Sequence, residues 1–103
     1  MPHFLVIALD HEPHSMTLRK EQRSDHRGYV LANDVAIRLA GAMTDGAGNQ
    51  CGSLYSFEAE SADAVRKWLD AEPFCRSDVY ASVRIVEWNP ALNRLPPLEW
   101  RRR

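Results

Sequence analysis

Residues 37–60 read Ile37-Arg38-Leu39-Ala40-Gly41-Ala42-Met43-Thr44-Asp45-Gly46-Ala47-Gly48-Asn49-Gln50-Cys51-Gly52-Ser53-Leu54-Tyr55-Ser56-Phe57-Glu58-Ala59-Glu60. The centre of this stretch, Asp45-Gly46-Ala47-Gly48-Asn49, is the strongest turn signal in the chain. Glycine reaches backbone conformations closed to other residues, and Asp and Asn side chains bond their own backbone. The flanks have a period of two. Residues 37–44 alternate weakly, and residues 51–60 put Tyr55, Phe57 and Ala59 on one face with Leu54, Ser56 and Glu58 on the other. The stretch is predicted to be a β-hairpin.

Upstream of it, residues 4–9 are apolar at every position, as in a central strand covered on both faces. Pro13 and Ser15 mark a loop that leads into a helix N-cap. Residues 16–33 then read as a helix without interior proline, and its first half is unusual. From Arg19 to Arg27 there is no large aliphatic side chain, so this part either lies at the surface or roofs a polar cavity.

Downstream, Ser61 caps a second helix whose buried stripe is Ala62, Val65, Trp68 and Leu69. Glu72-Pro73-Phe74 breaks that helix and opens a short connector. Residues 80–88 form the last strand, with Ala81, Val83 and Ile85 facing one way. The order is β-α-β-β-α-β, which predicts an α+β, ferredoxin-like domain with a four-stranded antiparallel sheet over residues 1–90. Residues 91–103 hold Pro96 and Pro97 and are expected to be an extended tail. Two helices cover one face of such a sheet. The other apolar face of the first strand calls for a second copy of the chain, so a homodimer is expected.

Composition limits the partners. The 103 residues include 13 basic and 14 acidic side chains, a net charge of −1, and so lack the broad positive field that gathers nucleic acid or an anionic membrane. The apolar run at the N-terminus has no basic residues before it and falls far short of the ~20 residues that span a bilayer. Cys51 and Cys75 make neither a disulfide framework nor a zinc motif and read as unpaired thiols in a reducing compartment. A cytoplasmic protein with no nucleic-acid or membrane partner is expected.

These segments carry a family resemblance. Arg23-Ser24-Asp25-His26-Arg27-Gly28-Tyr29 resembles the R-x-x-H-x-x-Y signature of YCII-related proteins. Gly41-Ala42-Met43, Gly52-Ser53, and Phe57-Glu58-Ala59 before Ser61 follow the same pattern, as do Ala64, Trp68, Asp70 and Glu72-Pro73-Phe74. Together they span about residues 3–88 in the family's order. The resemblance implies a ferredoxin-like fold of the dimeric α/β-barrel group, with two sheets face to face across the dimer. It also implies a His–Asp pair in a pocket, and in some relatives cofactor-independent lyase chemistry on chlorinated aromatic or quinol-type compounds. The acid before the proline is usually Asp in the family. Here it is Glu72, whose extra methylene carries the carboxylate farther from the backbone.

Within that frame His26 is the candidate general acid–base, since imidazole exchanges protons near neutral pH. Arg23 and Tyr29, three residues to either side, share its helix face. They are candidates to hold an anionic group and to donate a hydrogen bond to a developing enolate. Glu72 would accept the other imidazole proton and stabilise the imidazolium. Ser53, on the face of Tyr55, is a candidate ligand contact, although no nucleophile elbow surrounds it. Spacing alone fits a solvated histidine better; the resemblance favours the site.

Asp10, His11, Glu12 and His14 invite a metal reading, but ligands so close in one loop seldom converge on one ion, and a solvated loop is expected. Arg101, Arg102 and Arg103 read as a solvated tail, and Gly46 and Gly48 lack the context of a phosphate loop. No cofactor or metal is expected. The functional expectation is a lyase or isomerase acting on a small organic molecule through His26 and Glu72. The alternative is a non-catalytic ligand-binding or accessory dimer.

Overall fold

The computed structural model describes residues 1–11, 15–32, 37–92 and 94. Glu12, His14, Asn33 and nearly all of the 91–103 tail lie outside the described residues, as do Arg101, Arg102 and Arg103. The elements are β1 (His3–Asp10), α1 (Ser15–Ala32), β2 (Ile37–Thr44), β3 (Gln50–Glu58), α2 (Ala62–Asp70), α3 (Pro73–Arg76) and β4 (Tyr80–Trp88). The sheet order is β2-β3-β1-β4 and every neighbouring pair is antiparallel. This is the predicted α+β ferredoxin-like fold, with β1 central. Among the described residues no helix is long and apolar enough to cross a membrane.

The hairpin forms where the turn residues require it. Oδ1 of Asp45 accepts hydrogen bonds from the backbone N–H groups of Ala47 at 2.8 Å and Asn49 at 3.0 Å, and Gly48 takes φ +85°, a conformation that favours glycine. These bonds hold the Asp45 carboxyl below its ordinary value. The partner strand ends at Glu58 rather than at Glu60 as expected. Tyr55 and Phe57 pair with Val6 and Phe4 of β1 and sink with them beneath the helices. Val30, Val65 and Leu69 close this core from above. Each such side chain removed from water is worth about 1.5–3 kcal/mol before the cost of ordering the chain. Ser61 caps α2 as predicted, its Oγ accepting from the Ala64 N–H at 3.2 Å.

Three local expectations are corrected. Ser15 does not cap α1 by accepting; it is the first residue of the helix, buried, and its one hydroxyl proton is shared between the carbonyls of Val79 (3.1 Å) and His11. The connector after α2 folds into a turn of helix, α3, because the Glu72 side chain caps it and Pro73 occupies its first position. On β4, Val83 and Ile85 pair with Ala8 and Val6, but Ala81 leaves the alternation. Leu9 opposes Ser82 while Asp10 opposes Tyr80, so Ala81 sits in a bulge and Tyr80 turns under the helices beside Asp10.

Among the described residues, the opposite face of the sheet carries no helix. By register it presents Leu5, Ile7 and Leu9 of β1, Leu54 of β3, Leu39 of β2 and Trp88 of β4. Leu9, Leu39 and Trp88 are exposed, and Leu5, Ile7 and Leu54 are half-buried.

Candidate active site at the His26–Glu72 pair

The inward stripe of α1 is Ser15, Arg19, Arg23, His26 and Val30, at spacings of four, four, three and four residues. Its middle is polar because it packs on polar partners. Glu72, between α2 and α3, is fully buried, and its carboxylate is held from three directions. Oε1 accepts from the Phe74 N–H at 3.1 Å and Oε2 from the Cys75 N–H at 3.1 Å. The third partner is Nδ1 of His26, which meets Oε1. A carboxylate only accepts, so Nδ1 carries a proton and, in the neutral ring, Nε2 is the free base. The imidazole stacks on Phe74 with centroids 3.8 Å apart and planes 4° from parallel. It keeps 19% of its side-chain exposure while Glu72 keeps none. The arrangement is a partly exposed imidazole backed by a buried carboxylate held on both oxygens.

The other expected residues are placed differently. Arg23 is half-buried one turn before His26. The Tyr29 hydroxyl donates to the Trp68 carbonyl at 2.9 Å, tying α1 to α2; burial, and then the Glu72 charge, raises its pKa. Ser53 belongs to a second polar cluster. Its Oγ accepts from Nη2 of Arg19 at 3.0 Å and from the Tyr80 hydroxyl at 2.8 Å, and the Tyr55 and Tyr80 hydroxyls are 2.7 Å apart. The structure thus brings His26 and Glu72 together and puts Ser53 in a different set of contacts.

Sequence reading missed the head of that cluster. Asp10, read as part of a solvated loop, is buried with Arg19: Nε and Nη2 of the guanidinium meet Oδ2 and Oδ1 at 2.6 and 2.8 Å. Burial alone would lower the Arg19 pKa, but the hydrogen bond and charge of Asp10 outweigh it and raise it. Arg19 lies seven residues before His26, so its place on the inward stripe was present in the spacing. Burial drives both Tyr55 and Tyr80 upward, so their phenols stay protonated. Burial and then the Glu72 charge do the same to the Cys75 thiol, which removes it as a nucleophile.

The polar middle of α1, expected either at the surface or over a polar cavity, places Arg19 against the Phe74 and Tyr80 rings. Among the described residues, hollows of about 220 Å³ occur at two other places. One lies on the open sheet face between Leu5, Leu39, Leu54 and Trp88; the other lies between Leu69, Cys75, Val83 and Ile85. Neither is lined by His26. Among the described residues no three His, Cys, Asp or Glu side chains converge as a metal site.

The family model of the YCII-related domain matches residues 3–89. Among solved structures, 5-chloro-2-hydroxyhydroquinone dehydrochlorinase from Burkholderia phenoliruptrix, in complex with 2,5-dihydroxybenzoquinone, has a TM-score of 0.76 at 24% identity, covering 84% of this chain and 93% of that one. A NIPSNAP domain protein from Burkholderia xenovorans has a TM-score of 0.52 at 17% identity over 93% of this chain and 99% of its own. An antibiotic biosynthesis monooxygenase has a TM-score of 0.50 at 10% identity over 93% and 100%. Comparison with curated proteins gave no match. At these identities the likeness is one of fold.

Proposed function

The chain belongs to the YCII-related domain family, and from that premise we propose that it is a cofactor-independent lyase or isomerase in which His26 moves the proton. The observation that carries this reading is the pairing of a partly exposed imidazole with a fully buried carboxylate through Nδ1. In an elimination, Nε2 takes a proton from the substrate, the electron pair left behind forms the new double bond, and the leaving group departs with its own pair. Glu72 stabilises the imidazolium until the proton passes to water. Arg23, half-buried one turn away, is assigned to an anionic oxygen of the substrate. A small hydroxylated ring is the proposed substrate class, supported by the dehydrochlorinase whose fold is shared. The working unit is proposed to be a cytoplasmic homodimer joined through the open sheet face.

The assay is chloride and product release from a panel of chlorinated hydroquinones. His26→Ala is expected to lower turnover about 10²–10⁴-fold with an unchanged circular dichroism spectrum. Equal turnover by the variant would remove His26 from the chemistry. A second reading, ligand binding without catalysis, is favoured by two observations. Glu72 already serves as the cap of α3, and neither hollow reaches His26. Under that reading the panel binds in calorimetry but releases no chloride.

A further inference from the structure

The buried Asp10–Arg19 pair has no part in the proton transfer just described, yet it reaches the same imidazole. Phe74 is the link. Its backbone N–H holds the Glu72 carboxylate and its ring stacks on His26. The guanidinium carbon of Arg19 lies 5.1 Å from the centroid of that ring, and the Tyr80 ring meets it edge-on at 6.1 Å and 87°. An arginine against an aromatic ring is attracted to its electron-rich face, and its planar fork holds Asp10 in a fixed geometry. The bidentate contact therefore fixes the guanidinium, the guanidinium fixes the Phe74 ring, and the ring fixes the plane of the imidazole.

The pair also has an electrostatic role. The two ring distances bound the separation of guanidinium carbon and imidazole centre at about 9 Å, close enough for partly buried charges to interact. An unpaired Arg19 would oppose protonation of His26; with Asp10 beside it, that field is cancelled. We propose that the Asp10–Arg19 ion pair is a positioning element for His26, orienting the imidazole through Phe74 and keeping the guanidinium charge from bearing on it. This deepens the acid–base reading of His26 and takes its functional meaning from it. The other titratable groups in contact with His26 are Glu72 from the α2–α3 junction and Tyr55 from β3, and Arg23 and Tyr29 lie three residues to either side on its own helix. None is altered in the test.

The experiment is an NMR titration of the His26 imidazole, without substrate, in the full chain and in two variants. Asp10→Asn leaves the guanidinium uncompensated and is expected to lower the His26 midpoint by about half a unit or more. Asp10→Asn combined with Arg19→Gln removes both charges and is expected to bring the midpoint back toward that of the parent. A merely structural role would disturb the double variant at least as much as the single one. Identical midpoints in all three proteins would overturn the proposal. Should Asp10→Asn fail to fold, Arg19→Gln alone carries the test with the opposite sign, because the unpaired carboxylate favours the imidazolium. An unmoved midpoint there is equally fatal. The titration needs no turnover, so a flat result with an active enzyme sinks the coupling alone. A shifted midpoint with an inert enzyme sinks the acid–base reading alone.

Discussion

Glu72 shows how one side chain caps a helix and pairs with an imidazole at the same time. Its two oxygens cap α3 while one of them meets His26, so no rotation frees it for another task. Glu72→Gln would place an amide NH₂ against a backbone N–H, losing one capping bond as well as the charge. Chemical denaturation is expected to show a loss of about 1–3 kcal/mol. His26 and Glu72 were legible in the sequence through an ordered set of family-like motifs. Spacing along α1 added the shared helix face. The Asp10–Arg19 pairing was not legible: spacing puts Arg19 on the face of His26, but by residue type both side chains read as solvent-facing, and only the fold shows that they bury each other. Ser53 was read on the correct strand face, but its partners, Arg19 and Tyr80, come from elements distant in sequence.

Among the elements, the hairpin was the most legible, since turn chemistry and alternation agreed on it. The bulge at Ala81 was not, because nothing in residues 80–88 marks the point where pairing with β1 slips. Gly52 gives the hairpin a second requirement. A Cβ there would lie 2.4 Å from the Ala8 carbonyl oxygen and 2.5 Å from Cε of Met43. Met43 can move aside, but the Ala8 carbonyl is backbone. Gly52→Ala is therefore expected to cost about 1–3 kcal/mol, visible as a lower melting temperature, and to disturb the neighbouring Ser53 contacts. The turn supplies a pH dependence. The folded Asp45 carboxyl titrates below its ordinary 3.8, so the hairpin gains from it above that value and loses the gain as the pH falls through the folded midpoint. A carboxyl-detected NMR titration is expected to place that midpoint below 3.8, and a midpoint at or above it would contradict the turn geometry.

For the whole molecule, the feature with the widest consequence is the open side of the sheet. The first strand's continuous apolar run pointed to a cover on both sides, and the helices supply only one. Sedimentation velocity is expected to give a dimer for the parent chain. Leu54→Lys, in the middle of the open face opposite Ile7, is expected to give a monomer with native circular dichroism. A parent chain that sediments as a monomer would defeat that assignment. The sheet's two outer strands, β2 and β4, have a further consequence. Among the described residues each leaves half of its backbone groups without a neighbouring strand, the template on which chains stack into fibrils. Arg38 on one rim, and Arg84, Glu87 and the Ala81 kink on the other, place charge and irregularity where stacking would begin. These features oppose open-ended growth along the rims and are compatible with the proposed closed pair of faces.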